Sequence, residues 1–581
     1  MVFYFFQSIS ILFIIISLSS FFNNKLNINN NIKYIFSILI IITTCFLTLK
    51  TIKFLNLTLN LSLDYVLIFK IIFFIFLIFS ISVLFINRLQ LSYTDFLFIL
   101  IYLIISILSY DRYFLDEDEF TYWGQRIKDF YYFNEFQSFK INRYHQPLLT
   151  SWQLFFTANY EFRENILILA NSVILIGTFF YLSENSLKKK NDYIIFVTYF
   201  ILFYLLINNL SFGFVSIYAD PIVAVLSSCL LKIVIENKYD KQNIVLLFLL
   251  TFSLYFSHRL GIIFLFAIFP YILFKNFKFV FFQNKKRLFL SILLAIFLLR
   301  FLFFKQLTYS QTPFNIFEHF DTLLKIILNY ILNLKNILLV NIYYSSFGIS
   351  INSIIEIFLN KKNILNNFGL SILFWSLLII FLIFINKKNK LIIYFILSLV
   401  FYILVIYIEK AYFQKLSYLV FGRYVAIFLL SYLLFITLKK NNIYILILLL
   451  VFNILITPLK SFGLFVPDSI YYAYEKNLKY KQNRTKIKNF AAKNNNCKKV
   501  LAIYDKNNFP KYLDGHYSLI LNIFNYELFS SKIRFQDLYA LKKLKNNDFF
   551  NFFDCIFILN LHQKDFENYN IRQDKIKILN L

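Results

Sequence analysis

Charge is scarce in this chain: Asp, Glu, Lys and Arg together make up 15% of its 581 residues, with only 31 acidic side chains against 59 basic ones. So little charge beside 59% hydrophobic and 21% aromatic content excludes a soluble fold, whose surface cannot hide that much apolar area. Cysteine is rarer still, four in all. Cys45 and Cys229 fall in apolar runs and read as small buried hydrophobes, whereas Cys497 and Cys555 fall in the tail, where a disulfide and a metal pair are both open readings. No glycine-rich phosphate loop accompanies the strand-like runs, which argues against a nucleotide site. Internal repeats are absent, and the first apolar run has neither a basic leader nor a small-residue cleavage motif, so it reads as a retained first helix.

What the chain does have is apolar runs of spanning length from end to end. Counting windows of roughly 15 to 22 residues gives about fourteen candidate helices. They lie at 2–22, 33–49, 65–86, 94–109, 164–182, 193–212, 220–236, 244–257, 260–274, 288–304, 368–385, 391–408, 422–438 and 443–459. The run from Thr322 to Tyr344 is apolar but carries Lys325 and Lys335, which predicts an interfacial or re-entrant segment. The expected fold is therefore an all-α polytopic membrane bundle with a small C-terminal α/β domain outside the membrane. Its parts are N-terminal helices over 1–109, an acidic extracytoplasmic loop with an interfacial helix over 110–163, a transmembrane core over 164–459 and a soluble tail over 460–581.

Orientation follows from the clustered lysines, since short basic loops stay in the cytoplasm. Lys188 to Lys190, Lys285 to Arg287, Lys387 to Lys390, and Lys439 with Lys440 mark inner loops. Alternation then puts 110–163, the region after Tyr309, the loop 409–421 and the tail from Lys460 outside. The net charge of +28 is spread over loops and tail, so anionic lipid accounts for it and nucleic acid is not expected as a partner. A short N-terminal span, no retention signal and the biased composition together point to a bacterial inner membrane. In the tail, VLAIYD (500–505) and CIFILNL (555–561) read as strands, IRFQDLYALKKL has helical spacing, and the stretch from Asp468 to Phe490 reads as an amphipathic helix.

Four carboxylates stand where chemistry would start: Asp116, Glu117, Asp118 and Glu119, in LDEDEFTYWGQRIKDFYYF. In helical projection Phe120, Trp123, Ile127, Phe130 and Tyr131 share one face, and Asp118, Tyr122, Gln125 and Asp129 the other. A helix of that kind lies on the membrane surface and holds a carboxylate at headgroup depth. Asp220 opens a span in YADPIVAVLSSCLL, His258 and Arg259 interrupt the turn in LYFSHRLGIIFLF, and Arg423 with Tyr424 opens a span in FGRYVAIFLLSYLLF. All fall on the outer side. Each has a plain alternative: the acidic run as a solvated turn, Asp220 as a helix cap before Pro221, and the His and Arg side chains as snorkelling residues at the interface. Acids and bases gathered on one side of a bundle nevertheless call for a polar cavity.

These residues resemble the GT-C superfamily of polytopic glycosyltransferases, which includes protein mannosyltransferases and aminoarabinose transferases and which takes sugar from polyprenyl-phosphate donors. DEFTY, Asp118 to Tyr122, is similar to the acidic pair of that family's first outer loop, and HQPLLTSW, His145 to Trp152, is similar to its basic and proline motif. The later DP, HR and RY elements also fall where such families carry acidic and phosphate-binding residues. Four spans precede the acidic loop where many relatives have one, and a histidine stands before the proline in place of lysine.

The resemblance implies a sugar donor on polyprenyl phosphate, an acceptor that is a lipid, a glycan or a protein, and an outer-face site. It implies Asp118 as general base with Glu119 or Asp116 as substitutes, and His145, His258, Arg259 and Arg423 as phosphate-binding residues. Tyr122, Asp220 and Tyr424 are further candidates. Asp116, Asp118 and Asp220 offer hard oxygen ligands for a divalent cation such as magnesium or manganese, but some relatives use one and others none, so metal use stays open. Two alternatives stand beside this expectation: a polymerase or ligase acting on lipid-linked glycans, with 305–366 as its large late loop, and a transporter without chemistry, for which mid-span charges and half-bundle symmetry would be the signatures.

Overall fold

The computed structural model describes residues 2–26, 28–30, 32–59, 61–87, 91–110, 112, 114, 124–133, 147–158, 162–184, 193–211, 214, 216–217, 219–236, 241–258, 260–265, 267–268, 379–384, 391–402, 427–436, 477–494, 496–504, 523, 526–527, 532–538, 547–559, 561 and 573–580. Packing divides the chain into two compact units: Met1–Arg112 with Ser138–Lys460, and Tyr113–Gln137 with Ser461–Leu581. The expected outer loop is thus shared, its first half with the tail and its second half with the helices.

In chain order the helices are α1 (Val2–Leu26), α2 (Lys33–Thr58), α3 (Tyr65–Asn87), α4 (Tyr93–Ser109), α5 (Gly124–Phe133), α6 (Pro147–Thr157), α7 (Glu164–Leu182), α8 (Tyr193–Ser211), α9 (Asp220–Glu236) and α10 (Lys241–Ser257). Shorter apolar helices follow as α11 (Leu391–Tyr402) and α12 (Ile427–Ile436), and the tail opens with α13 (Asn477–Lys493). Each apolar window up to residue 257 holds a helix. Among the described residues four helices, α1, α2, α3 and α7, are long and apolar enough to cross a membrane. The fuller count of about fourteen is met only in part: 288–304, 443–459 and the run Thr322 to Tyr344 lie outside the described residues.

The first unit is built around α7. Its spanning window is 94% buried, and it packs on α2, α4, α6 and α9. Gly177 allows the close approach of α2, for a Cβ there would lie 2.5 Å from Ile38 Cδ1 and 3.6 Å from the Ile35 Cα. At the periphery α3 is only 22% buried and leaves Leu67, Ile71, Phe74, Ile75, Ile78 and Phe85 uncovered. A face so large and apolar is stable only against an apolar solvent. Inside the unit, hydroxyls turn back on their own helices, Ser172 to the Ile168 carbonyl and Thr251 to the Leu247 carbonyl.

Helix directions follow from the contacts. Tyr34 at the start of α2, Phe98 near the start of α4 and Phe180 at the end of α7 stack on one another, with ring centroids 4.4 to 5.3 Å apart. At the same end Lys33 pairs with Asp95 at 2.8 Å, and Lys232 near the end of α9 pairs with Glu184 at 3.1 Å. Asp95 also closes a capping box on Ser92, which starts α4. The opposite end gathers the start of α1, the end of α4 and the start of α7: the Tyr4 hydroxyl donates to the Ser106 carbonyl at 2.8 Å, and Asn165 donates to the Tyr110 carbonyl at 2.6 Å.

The second unit contains a four-stranded parallel sheet of order β2-β1-β3-β4, with β1 Lys499–Tyr504, β2 Lys532–Asp537, β3 Cys555–Leu559 and β4 Ile576–Leu579. The central strands are buried on both faces, as parallel strands must be. One face packs Leu501, Ile503, Ile556 and Ile558 on Leu538, Phe550 and Phe553; on the other, Phe557 meets Phe490 of α13 with centroids 4.8 Å apart. The expected strands at 500–505 and 555–561 are present. Of the stretch IRFQDLYALKKL, expected as a helix, Ile533 to Asp537 instead form β2, because parallel pairing with Val500 to Tyr504 satisfies the backbone there, and 539–544 lie outside the described residues. A disulfide joins Cys497 to Cys555, tying the approach to β1 to the start of β3 across 58 residues.

Candidate functional site

Most of the candidate residues, namely Asp116, Asp118, Glu119, Tyr122, His145, Arg259, Arg423 and Tyr424, lie outside the described residues. Asp220 and His258 are described, and both belong to the first unit. Asp220 is the first residue of α9 and is buried, next to Pro221 in the first turn, where proline costs no hydrogen bond and a carboxylate meets the positive helix end. The first backbone bond of that helix runs from Val223 to the Ala219 carbonyl, so Asp220 stands just inside the helix rather than at its cap.

His258 follows α10 directly. The Leu260 N–H donates to its Nδ1 at 3.2 Å and the Gly261 N–H to its carbonyl at 2.9 Å, so the histidine caps the helical segment that begins at Leu260. With Nδ1 an acceptor, the neutral imidazole carries its proton on Nε2 and is a hydrogen-bond donor there. α9 and α10 form a packed hairpin joined by four residues, which brings the start of α9 and the end of α10 to one end of the unit. α7 and α9 run parallel, since their far ends are joined by Glu184 and Lys232. The end that holds Asp220 and His258 is therefore the one where Asn165 meets Tyr110 and where the chain leaves α4 toward the acidic run.

The HQPLLTSW motif becomes α6 from Pro147 onward, and all of that helix is buried. Trp152 Nε1 donates to the Ala170 carbonyl at 2.7 Å and Gln153 donates to Asn171 at 3.0 Å. These contacts pack α6 against α7.

In the second unit the flanks of the acidic run carry a cluster that sequence reasoning missed. α5 falls in the later part of the expected surface helix, of which 117–123 lie outside the described residues, and charged and apolar side chains are enclosed together: Ile127 and Phe130 are buried, and so are Arg126, Lys128 and Asp129. Lys128 Nζ donates to the Tyr526 carbonyl at 2.7 Å and sits 3.9 Å from the centre of the Tyr526 ring. Phe114 lies edge-on to the same ring at 5.9 Å. From α13, Arg484 reaches the Phe114 carbonyl at 3.4 Å and the Glu527 carboxylate at 3.6 Å. Burial pulls the Arg126 guanidinium down to about 9, still protonated at neutral pH. The one available sequence signal was the two cations of GQRIKDF amid apolar neighbours; the Tyr526 carbonyl that Lys128 meets is 398 residues away.

Among the described residues no group of three or more His, Cys, Asp or Glu side chains could hold a metal ion. No family model matches the chain, and neither does any curated protein or solved structure.

Proposed function

We propose that this protein is a multi-pass inner-membrane glycosyltransferase of the GT-C kind, transferring sugar from a polyprenyl-phosphate donor to a lipid, glycan or protein acceptor on the outer face. The observation that carries it is the common end of the helical unit: Asp220 and His258 stand at the end where Asn165 meets Tyr110, the residue that closes α4. The opposite end bears Lys33 and Lys232, and Glu184 there precedes Lys188 to Lys190 in sequence, which supports reading it as the cytoplasmic side. The disulfide in the tail supports an oxidising compartment for the second unit.

In this mechanism the bond between the anomeric carbon and the phosphate oxygen breaks as the acceptor oxygen or nitrogen attacks from the opposite side, inverting the centre. The phosphate leaves with the bonding pair and gains one negative charge, so it needs cations rather than an acid. Arg259 and Arg423 grip its oxygens, with His145 and the Nε2–H of His258 as further donors. Asp118 takes the acceptor proton, with Glu119 or Asp116 able to substitute. Tyr122, Tyr424 and Asp220 orient the sugar through hydrogen bonds. No step is routed through a metal.

The test is transfer of labelled sugar from a panel of polyprenyl-phosphate sugars to endogenous acceptors, in membranes holding wild type or Asp118→Asn. Transfer with wild type and its loss in the variant is the expected result. Equal transfer in both removes Asp118 as base, and no transfer from any donor moves the assignment to a glycan polymerase or a transporter.

A further inference from the structure

Two lysines of the spanning helix α2 lie inside the helical unit and have no part in the reading above. Lys50 is buried, and Lys53, one turn nearer the helix end, is half-buried. A lysine near the end of a spanning helix ordinarily snorkels, with its stem on apolar surface and its ammonium out in the headgroup layer. Lys50 does not: its Nζ is enclosed and sits 5.5 Å from the centre of the Phe46 ring, one turn back along α2.

The same ring faces α10. Phe46 packs on Phe252 and Phe256, with centroids 5.3 and 4.6 Å apart. α2 and α10 both start from the end of the unit where Tyr34, Phe180 and Lys232 lie, so they run in the same direction. Lys50 stands four residues beyond Phe46 and His258 two beyond Phe256, so with a rise of about 1.5 Å per residue the two are within one helical turn in depth. At i and i+3, Lys50 and Lys53 share a face of α2, and the Nε2–H of His258 adds a third donor. Neither α2 nor α10 contains a carboxylate. Cations and donors gathered on two helices without acids select an anion with several oxygens.

We propose that this end of α2 and α10 binds the phosphate of a lipid headgroup, with Lys50 and Lys53 as its cations, Lys53 at the entrance and Lys50 within. α2 belongs to the helices that precede the acidic loop, where many GT-C relatives have a single span. The site does not depend on the transfer reaction: a bilayer phospholipid and a polyprenyl phosphate offer the same anion, and the experiment separates them.

Native mass spectrometry of the full-length protein tests it, with phosphatidylglycerol, undecaprenyl phosphate or diacylglycerol added to the detergent. The wild type should retain a phosphate lipid and no diacylglycerol. Lys50→Met with Lys53→Met keeps both stems, removes both cations and should weaken retention by about tenfold or more. Lys50→Arg with Lys53→Arg keeps both charges and should stay within about threefold of wild type, and Lys70→Met, which removes the lone lysine of α3, should change nothing. The unfolding midpoint of the double Met variant should not fall, since it takes two cations out of an apolar setting; if it does fall, Lys53→Met alone decides. Preference for undecaprenyl phosphate makes this a site for the donor-type lipid and preference for phosphatidylglycerol one for a bilayer lipid, and either upholds it. Equal retention by wild type and a stably folded Met variant, or equal retention of diacylglycerol, overturns it.

Discussion

In the helical unit α3 leaves Phe74, Ile75 and Phe85 uncovered, while Lys33, Asp95, Glu184 and Lys232 lie inside; in the sheet unit β1 and β3 are covered on both faces, and lysines such as Lys488 and Lys498 lie outside. The contrast teaches which solvent each unit is built for. Against hydrocarbon an apolar side chain gains nothing by burial, so the helices are held by close packing and by polar pairs that find no partner in lipid. Against water the sheet is held by its apolar core, reinforced by a disulfide.

The contrast breaks most sharply at the buried pairs. Glu184→Leu leaves Lys232 enclosed without its carboxylate and should destabilise the helical unit by about 3–5 kcal/mol, while the double variant with Lys232→Met recovers most of the loss; unfolding in mixed micelles measures both. Next is the disulfide. Cys497→Ser with Cys555→Ser should cost the sheet unit about 2–5 kcal/mol, read as faster proteolysis of tail peptides with the helices untouched. Ile75→Lys, on the uncovered face of α3, should cost about 3 kcal/mol in a bilayer, whereas an exposed change in the tail such as Lys488→Ser should stay within about 0.5 kcal/mol. Equal small effects at the two positions would mean that α3 faces water. Gly177→Leu, which pushes α2 from α7, should cost about 1–3 kcal/mol, seen as a lower unfolding midpoint in the same micelles.

Helices were legible where composition alone decides them. Apolar runs at α1, α2, α3 and α7 admit no other structure in lipid, and β1 and β3 announce themselves as short apolar runs between polar stretches. β2 was not legible, because KIRFQD is half polar and becomes a strand only through pairing with β1. The α5 stretch showed a polar and an apolar face, which reads as a helix on a membrane surface. Its enclosure involves Tyr526, a contact too distant in sequence for any local pattern to encode. Asp220 is legible in the sequence as the opening of a span and His258 as an interruption between two, and their common end follows from the α9–α10 hairpin.

The central claim is that the acidic run and the tail that holds its flanks face outward while the Lys188 to Lys190 connector faces the cytoplasm. Labelling with a membrane-impermeant maleimide in intact cells tests it, using one added cysteine, Lys488→Cys or Lys189→Cys, in a background with Cys45 and Cys229 replaced by serine and the Cys497–Cys555 disulfide kept, the background alone serving as control. Labelling at 488 before permeabilisation and at 189 only after it is the predicted result. The reverse pattern, or labelling of both positions from the same side, would contradict the account.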